Sequence, residues 1–385
     1  MGILDWLAQT MLVERLIGIL SYLGIVIYVF KTIKYKNNKK IKKSFNKALI
    51  VLTIISFFYI PGNDADLVRI REMISGWGSL SVKDFFDEIL LRSSVPCAYL
   101  LYYLIAKIGV QGLLPAFCAL IFYGNSFHIF KILINEDIYS HKAIAYSFLA
   151  FMSSGALLEV ISDVRCFVAF SIVMRFIFDE IFQGKTIFKH LIFFVVAALV
   201  HPAAIVAILI WYVYYLVISK KNGWIKTLCN VFTVVFFMGI AIYFGSSYIT
   251  EMYNKASAFI KGSNTYSYFW EYIIGILQVI LFIYILNNRR HIVNIKVDQK
   301  IKELSKLAWI FLIIVITLFS EYNIFHRFIT ASSFLMIPVM AEALSVCEKE
   351  RIHGVKYKVV QILSYIILII ACTRGNLCGF KYFLI

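Results

Sequence analysis

Charge is what this chain is short of. Only 16% of its 385 residues are charged, where a soluble domain carries about a quarter, and acids are the scarcer sign, with 22 Asp and Glu against 38 Lys and Arg. With 61% apolar residues and a mean hydropathy of +0.81, the apolar surface exceeds what a water-soluble core can hide, which excludes a soluble enzyme. No two Cys have the CxxC spacing, and the seven present, several inside apolar runs, give neither a zinc site nor a disulfide framework. No metal and no cofactor are expected. No segment recurs with a period of about 20 to 50 residues, and no low-complexity stretch appears beyond a Lys/Asn patch near Lys36, so residues 1–385 read as a single transmembrane domain. No small-residue cleavage site accompanies the first apolar run, which has Asp5 ahead of it, so that run reads as retained. The formal charge of +16 comes from short basic clusters between apolar runs rather than from one face, which argues for topology signals and against a nucleic-acid partner.

What is present is a series of apolar runs: 12–30, 48–60, 109–130, 143–161, 166–182, 187–200, 203–218, 224–244, 269–286, 307–320, 328–345 and 359–373. A spanning helix needs about 20 mostly apolar residues, so the runs predict an all-α, polytopic integral membrane protein with about 12 transmembrane helices. Loop 31–47 carries eight Lys and no acid, which marks it as cytoplasmic. Parity then places Lys131 and Lys142, Lys185 and Lys189, Lys220 and Lys221, Arg289 to Lys306, and Lys349 to Lys358 on the same side. For Lys185 and Lys220 to share a side, His190 to Ser219 must cross twice, turning at His201-Pro202, where proline suits a new helix start. Within the outer region 61–108, Pro96 to Lys107 reads as a short re-entrant or interfacial helix. A second outer loop, 246–268, belongs to an aromatic stretch with Tyr248, Tyr253, Tyr266, Tyr268 and Trp270, which suits sugar stacking and an interfacial belt equally.

Ionisable groups near membrane depth are costly and mark sites. Here they gather at the outer ends. Asp64 and Asp66, with Arg69 and Arg71, follow the break at Pro61-Gly62; Glu159, Asp163 and Arg165 straddle the turn after 143–161; His201 occupies the turn between 187–200 and 203–218; Glu321, His326 and Arg327 occupy the turn before 328–345. Asp163, two residues from Arg165, can neutralise that arginine or orient it. Arg175 and Asp179, four apart, read as satisfying one another and stand outside the site. The set implies a water-accessible cationic cavity facing outward. Arginine presents a planar fork that matches phosphate oxygens bidentately, so a diphosphate is the ligand that fits, and guanidinium groups would stabilise a lipid diphosphate as it leaves a sugar. The attacking sugar hydroxyl must lose a proton, which His201 or Asp64 can take.

Four local features carry a resemblance to a family: Pro61-Gly62-Asn63-Asp64 after the second run, Arg165 to Ala169 as Arg-x-x-x-Ala, His201-Pro202-Ala203-Ala204 at a helix end, and Arg327 opening a late helix. In order and spacing, over about residues 50 to 345, they resemble the EpsG/Wzy type of polysaccharide repeat-unit polymerase, which includes O-antigen, capsule and exopolysaccharide polymerases. The sequence departs where Arg69 and Arg71 replace an aromatic residue common after the Asp, and where Cys166 stands for a hydrophilic residue after the first Arg.

The resemblance implies a multispanning, GT-C-like glycosyltransferase of the bacterial cytoplasmic (inner) membrane, inverting and metal-independent, acting on the outer face. It implies undecaprenyl-diphosphate-linked oligosaccharides as donor and acceptor and a chain-length regulator protein as partner. By carry-over, Arg165 and Arg327, with Arg69 or Arg71 as a third, bind the diphosphate, and His201 and Asp64 are the competing bases; their position at the same outer ends makes Asp163, Glu159, His326 and Glu321 the supporting residues. Two alternatives stay open: a flippase of lipid-linked oligosaccharide, for which a midplane site and interrupted helices are expected, and a membrane acyltransferase of surface sugars.

Overall fold

In the computed structural model, the described residues are 3–60, 66–136, 138–184, 187–217, 269–290, 298–349, 356–373 and 379–380. Helices form where the apolar runs lie. They are α1 (Ile3–Tyr35), α2 (Asn38–Phe57), α3 (Asp66–Trp77), α4 (Pro96–Ile108), α5 (Leu113–Asn135), α6 (His141–Ser154), α7 (Leu157–Ser162), α8 (Val164–Gln183), α9 (Ile187–Val200), α10 (Ala203–Val217), α11 (Phe269–Arg290), α12 (Gln299–Thr317), α13 (Tyr322–Lys349) and α14 (Tyr357–Thr373). The run 224–244, loop 246–268, and Asp64 with its Pro61-Gly62 break lie outside the described residues, and of Trp270 only its place in the first turn of α11 is described. Among the described residues the strands are two short ones, β1 (Tyr59–Ile60) and β2 (Gly379–Phe380), paired antiparallel. The described residues are all-α apart from that clasp.

Local chemistry sets the boundaries. Asn37, Ser140 and Asp298 each cap a helix start by accepting a backbone N–H, and the Asp298 cap lets α12 begin well before its apolar run, through the polar turn of Lys300, Lys302 and Glu303. Helix α4 opens on Pro96 and stops at Gly109, whose φ of 78° few other residues tolerate. Gly112 is required differently, since a Cβ there would collide with the Phe57 carbonyl at the end of α2. One expectation fails: 143–161 is not one helix. It stops at Gly155, and the short α7 follows at a new angle, because Gly155 packs under the Phe122 ring and Ala156 is extended. The turn at His201-Pro202 forms where the parity argument put it, between α9 and α10.

Four of the described segments are long and apolar enough to cross a membrane: Leu16–Tyr35, Leu113–Asn135, Tyr272–Arg289 and Ile324–Lys349. Their surroundings differ. The α13 segment is 94% buried inside the bundle, whereas that of α1 is 28% buried and turns Leu16, Leu20 and Ile27 outward. Ile50 and Ile54 on α2, Ile313 and Ile316 on α12, and Ile362 and Ile369 on α14 are likewise exposed, a lipid-facing surface for a membrane protein. On α13, buried Thr330, Ser332 and Ser333 donate to carbonyls of their own helix, so hydroxyls sit in an apolar bundle without unmet demand.

The helix ends sort into two opposed levels. At one, Asn38 donates to the Ile134 carbonyl and meets His141, Ser140 and Tyr357 both donate to Glu348, and Arg289 meets Glu342. That level gathers the ends nearest the 31–47, 131–142, 289–306 and 349–358 basic stretches, as parity requires. At the other level Tyr59 hydroxyl meets Ser162, Gln278 donates to the Ser154 carbonyl, and Tyr272 donates to the Ser320 carbonyl.

Candidate functional site

The second level holds the predicted charges. The break between α7 and α8 at Asp163 lets one short stretch present Glu159, Asp163 and Arg165 toward the first turns of α13, where His326 and Arg327 stand. Arg327 donates through Nε to Asp163 at 2.8 Å. Arg165 donates through Nη2 to Asp66 on α3 at 3.3 Å, and Asp66 also accepts from Arg69 at 2.6 Å. Buried behind them, Glu159 and His326 pair at 3.0 Å, with side chains 8% and 11% exposed.

Asp163 therefore pairs across the bundle rather than with its sequence neighbour, correcting the local pairing. Both arginines nonetheless act on it. Burial alone would raise the Asp163 carboxyl, but the charges of Arg327, His201 and Arg165 outweigh burial and hold it below the usual carboxylate value. Arg327 in turn feels Asp66. Arg165, Arg327, Asp163, Asp66 and His201 thus form one electrostatic unit drawn from α3, the α7–α8 turn, the α9–α10 turn and α13.

Carboxylates answer the arginines of the expected cationic site. What the arginines keep is uncommitted edges. Nε and Nη1 of Arg165, and both Nη nitrogens of Arg327, have no hydrogen-bond partner among the described residues. The two side chains are 19% and 24% exposed, so they can be reached from outside.

The remaining predicted residues divide. Arg69 is 71% exposed and held within α3. Arg71 donates through Nη2 to the Tyr59 carbonyl at 2.7 Å, tying α3 to β1. Glu321 lies in the turn before α13 and joins no ion pair with a described residue. His201 accepts the Ala203 N–H on Nδ1 at 3.1 Å, capping α10, so the neutral ring carries its proton on Nε2. Arg175 and Asp179 form the expected ion pair at 4.0 Å, and their hydrogen bonds go to α5: Arg175 donates to Asn125 and Asp179 meets His128.

Two participants escaped sequence reasoning. Tyr102 on α4 is buried within electrostatic reach of Arg165, its hydroxyl without a hydrogen-bond partner among the described residues, and Tyr59 meets Ser162 at 2.8 Å beside the Asp163 break. Among 24 tyrosines the only available signal was the spacing of Tyr99, Tyr102 and Tyr103 along one side of α4. Among the described residues no cluster of His, Cys, Asp and Glu could hold a metal ion. No family model matches the chain, and neither curated proteins nor solved structures yield a match.

Proposed function

We propose that the chain is a membrane glycosyltransferase of the repeat-unit polymerase kind, with about twelve crossings in a GT-C-like arrangement, the lysine-bearing level in the cytoplasm and the Arg165–Arg327 level outside. One observation carries the reading: two guanidinium groups from separate turns meet around one carboxylate pair, each with donor edges uncommitted and within reach of solvent. A diphosphate with an undecaprenyl tail fits such donors, Arg327 through its Nη1/Nη2 fork and Arg165 through Nη1.

In the reaction so read, the acceptor sugar hydroxyl attacks the anomeric carbon of the donor glycan, its carbon–oxygen bond to the diphosphate breaks with inversion, and the hydroxyl proton passes to a carboxylate. Negative charge grows on the leaving diphosphate, so fixed guanidinium groups favour the transition state over the ground state. With Nδ1 occupied by Ala203, His201 suits an Nε2–H donor to a diphosphate oxygen, and the base role falls to Asp64. Purified protein in liposomes, given lipid-linked repeat units, should lengthen glycans and release undecaprenyl diphosphate; no lengthening with authentic donor and acceptor would overturn the reading.

A second reading, translocation of lipid-linked oligosaccharide, has one observation in its favour. Arg175, Asp179, His128 and Asn125 place charge and polarity halfway along α8 and α5 rather than at one end. Movement of labelled lipid-linked glycan across the liposome, without lengthening, separates it from the first.

A further inference from the structure

The mid-depth polar set on α5 and α8 ties those two helices together and takes no part in the site above. Asp179 is 1% exposed and bonds His128 at 3.1 Å; Arg175 donates Nη1 to Asn125 at 3.1 Å, and Asn125 donates onward to Ser171 at 3.0 Å. This chain of contacts leaves Arg175 underemployed. Its Nε is 4.0 Å from Asp179 and, like Nη2, has no hydrogen-bond partner among the described residues. The Arg175 and His128 side chains are nevertheless about one third exposed, at 32% and 31%.

Their exposure faces sideways. Helices α5 and α9 both pack along α8, with no comparable contact between them, and α4 closes over the outer end by packing on α9 and touching α5. Arg175 lies in that trough, held to α5 through Asn125, while the adjacent Phe176 stacks on Phe193 of α9 at 4.3 Å. The trough margin is apolar: Leu120, Ile192 and Phe193 are all exposed. Ten residues of helix, about 15 Å of rise, separate Arg175 from Arg165 on the same helix. Asp179 answers Arg175 on its buried Nε side, and Nη2 keeps its N–H groups without a partner among the described residues on an apolar lateral surface, where an anion is the partner that suits them. The anions that reach such a surface are carried by amphiphiles.

We propose that the α5–α8–α9 trough binds the phosphate of a membrane lipid at mid-depth, with Arg175 as its donor through Nη2, His128 as a second contact, and the hydrocarbon chain lying along the trough. The site rests on the membrane placement of the bundle and not on glycosyl transfer, so inactive Arg165 variants leave it untouched.

The test uses the full chain in lipid nanodiscs and a photoreactive long-chain alkyl phosphate, with labelled residues identified by mass spectrometry. Labelling is expected on the trough margin, displaced by dodecyl phosphate and not by inorganic phosphate, and lowered about tenfold in Arg175→Gln, the loss of one charge-assisted contact. Equal labelling by an uncharged long-chain alcohol probe, unchanged labelling in Arg175→Gln, or displacement by inorganic phosphate at equal concentration would each overturn it. Where the glutamine variant does not fold, Arg175→Lys keeps the charge beside Asp179 but loses the planar Nη2 donor; its labelling should fall several-fold, and unchanged labelling counts against the proposal equally.

Discussion

The two ends of the bundle each hold an Arg–carboxylate pair of nearly the same length, and they are built to opposite purposes. At the lysine-bearing end Arg289 meets Glu342 at 2.7 Å, with side chains 5% and 6% exposed; Arg289 also donates to Ser305, and Glu342 also accepts the Asp298 N–H. At the other end Arg327 meets Asp163 at 2.8 Å, but both are about a quarter exposed and the arginine fork is idle. Geometry of the pair alone does not separate a structural tie from a ligand site. What separates them is how many remaining donors and acceptors the surroundings have already used, and whether solvent reaches the rest.

The comparison breaks most sharply under substitution. Removing one member of the Arg289–Glu342 pair strands a buried charge among α11, α12 and α13, so Arg289→Met should cost about 3–5 kcal/mol of stability, and the double variant Arg289→Met with Glu342→Leu should recover most of it. Thermal unfolding in detergent would show this, while elongation per folded molecule stays near normal. The outer pair should behave the other way. Arg327→Lys and Arg165→Lys keep the charge and lose the fork, so chain elongation should fall by about a hundredfold with the unfolding temperature little changed. Near-normal polymer length in both would remove the diphosphate role.

A third substitution sharpens the difference through pH. The Asp163 carboxyl is held below its usual value, so its contribution to stability is complete above about pH 4, the ordinary Asp range, and is lost as pH falls through the lower native value. Asp163→Asn should be less stable than the parent by about 2 kcal/mol at neutral pH. That gap should close as acid protonates the parent carboxyl, which unfolding temperatures measured at neutral and at acid pH would follow.

Much of the frame was legible because membrane physics is written in one dimension. Apolar length gave the helices, and the placement of lysines gave the two levels and the turn at His201-Pro202. The break at Gly155 was less legible, since hydropathy continues across it and only the Phe122 ring beneath explains the stop. The site was legible as a set and not as a wiring. Asp163 lies two residues from Arg165, and sequence distance favours that pair; the fold sends Asp163 to Arg327 on α13 and brings Asp66 to Arg165 from α3. Arg71 reads like its neighbour Arg69 in sequence, yet β1 turns it inward to a carbonyl. The Arg175–Asp179 pairing holds as an ion pair at 4.0 Å, while Asn125 and His128 on α5, which sequence spacing does not reveal, supply the hydrogen bonds.

The smallest expected effect tests the finest distinction, which nitrogen of His201 acts. Nδ1 accepts the Ala203 N–H and caps α10, so Asn, whose side-chain oxygen lies near the Nδ1 position, should keep the cap, whereas Ala should lose about 1 kcal/mol of stability. Gln does the reverse, carrying an N–H near the Nε2 position. If Nε2–H donates to the diphosphate, His201→Gln retains a measurable fraction of elongation and its rate shows no titration near the ordinary imidazole value of about 6.5. If the ring is instead the base that takes the acceptor proton, an amide cannot replace it, and His201→Gln is as inactive as His201→Ala. The cap decides which outcome the geometry favours: a base at Nδ1 would have to release Ala203 first, and a base at Nε2 would need the tautomer that this hydrogen bond disfavours, so the retained activity should lie with Gln.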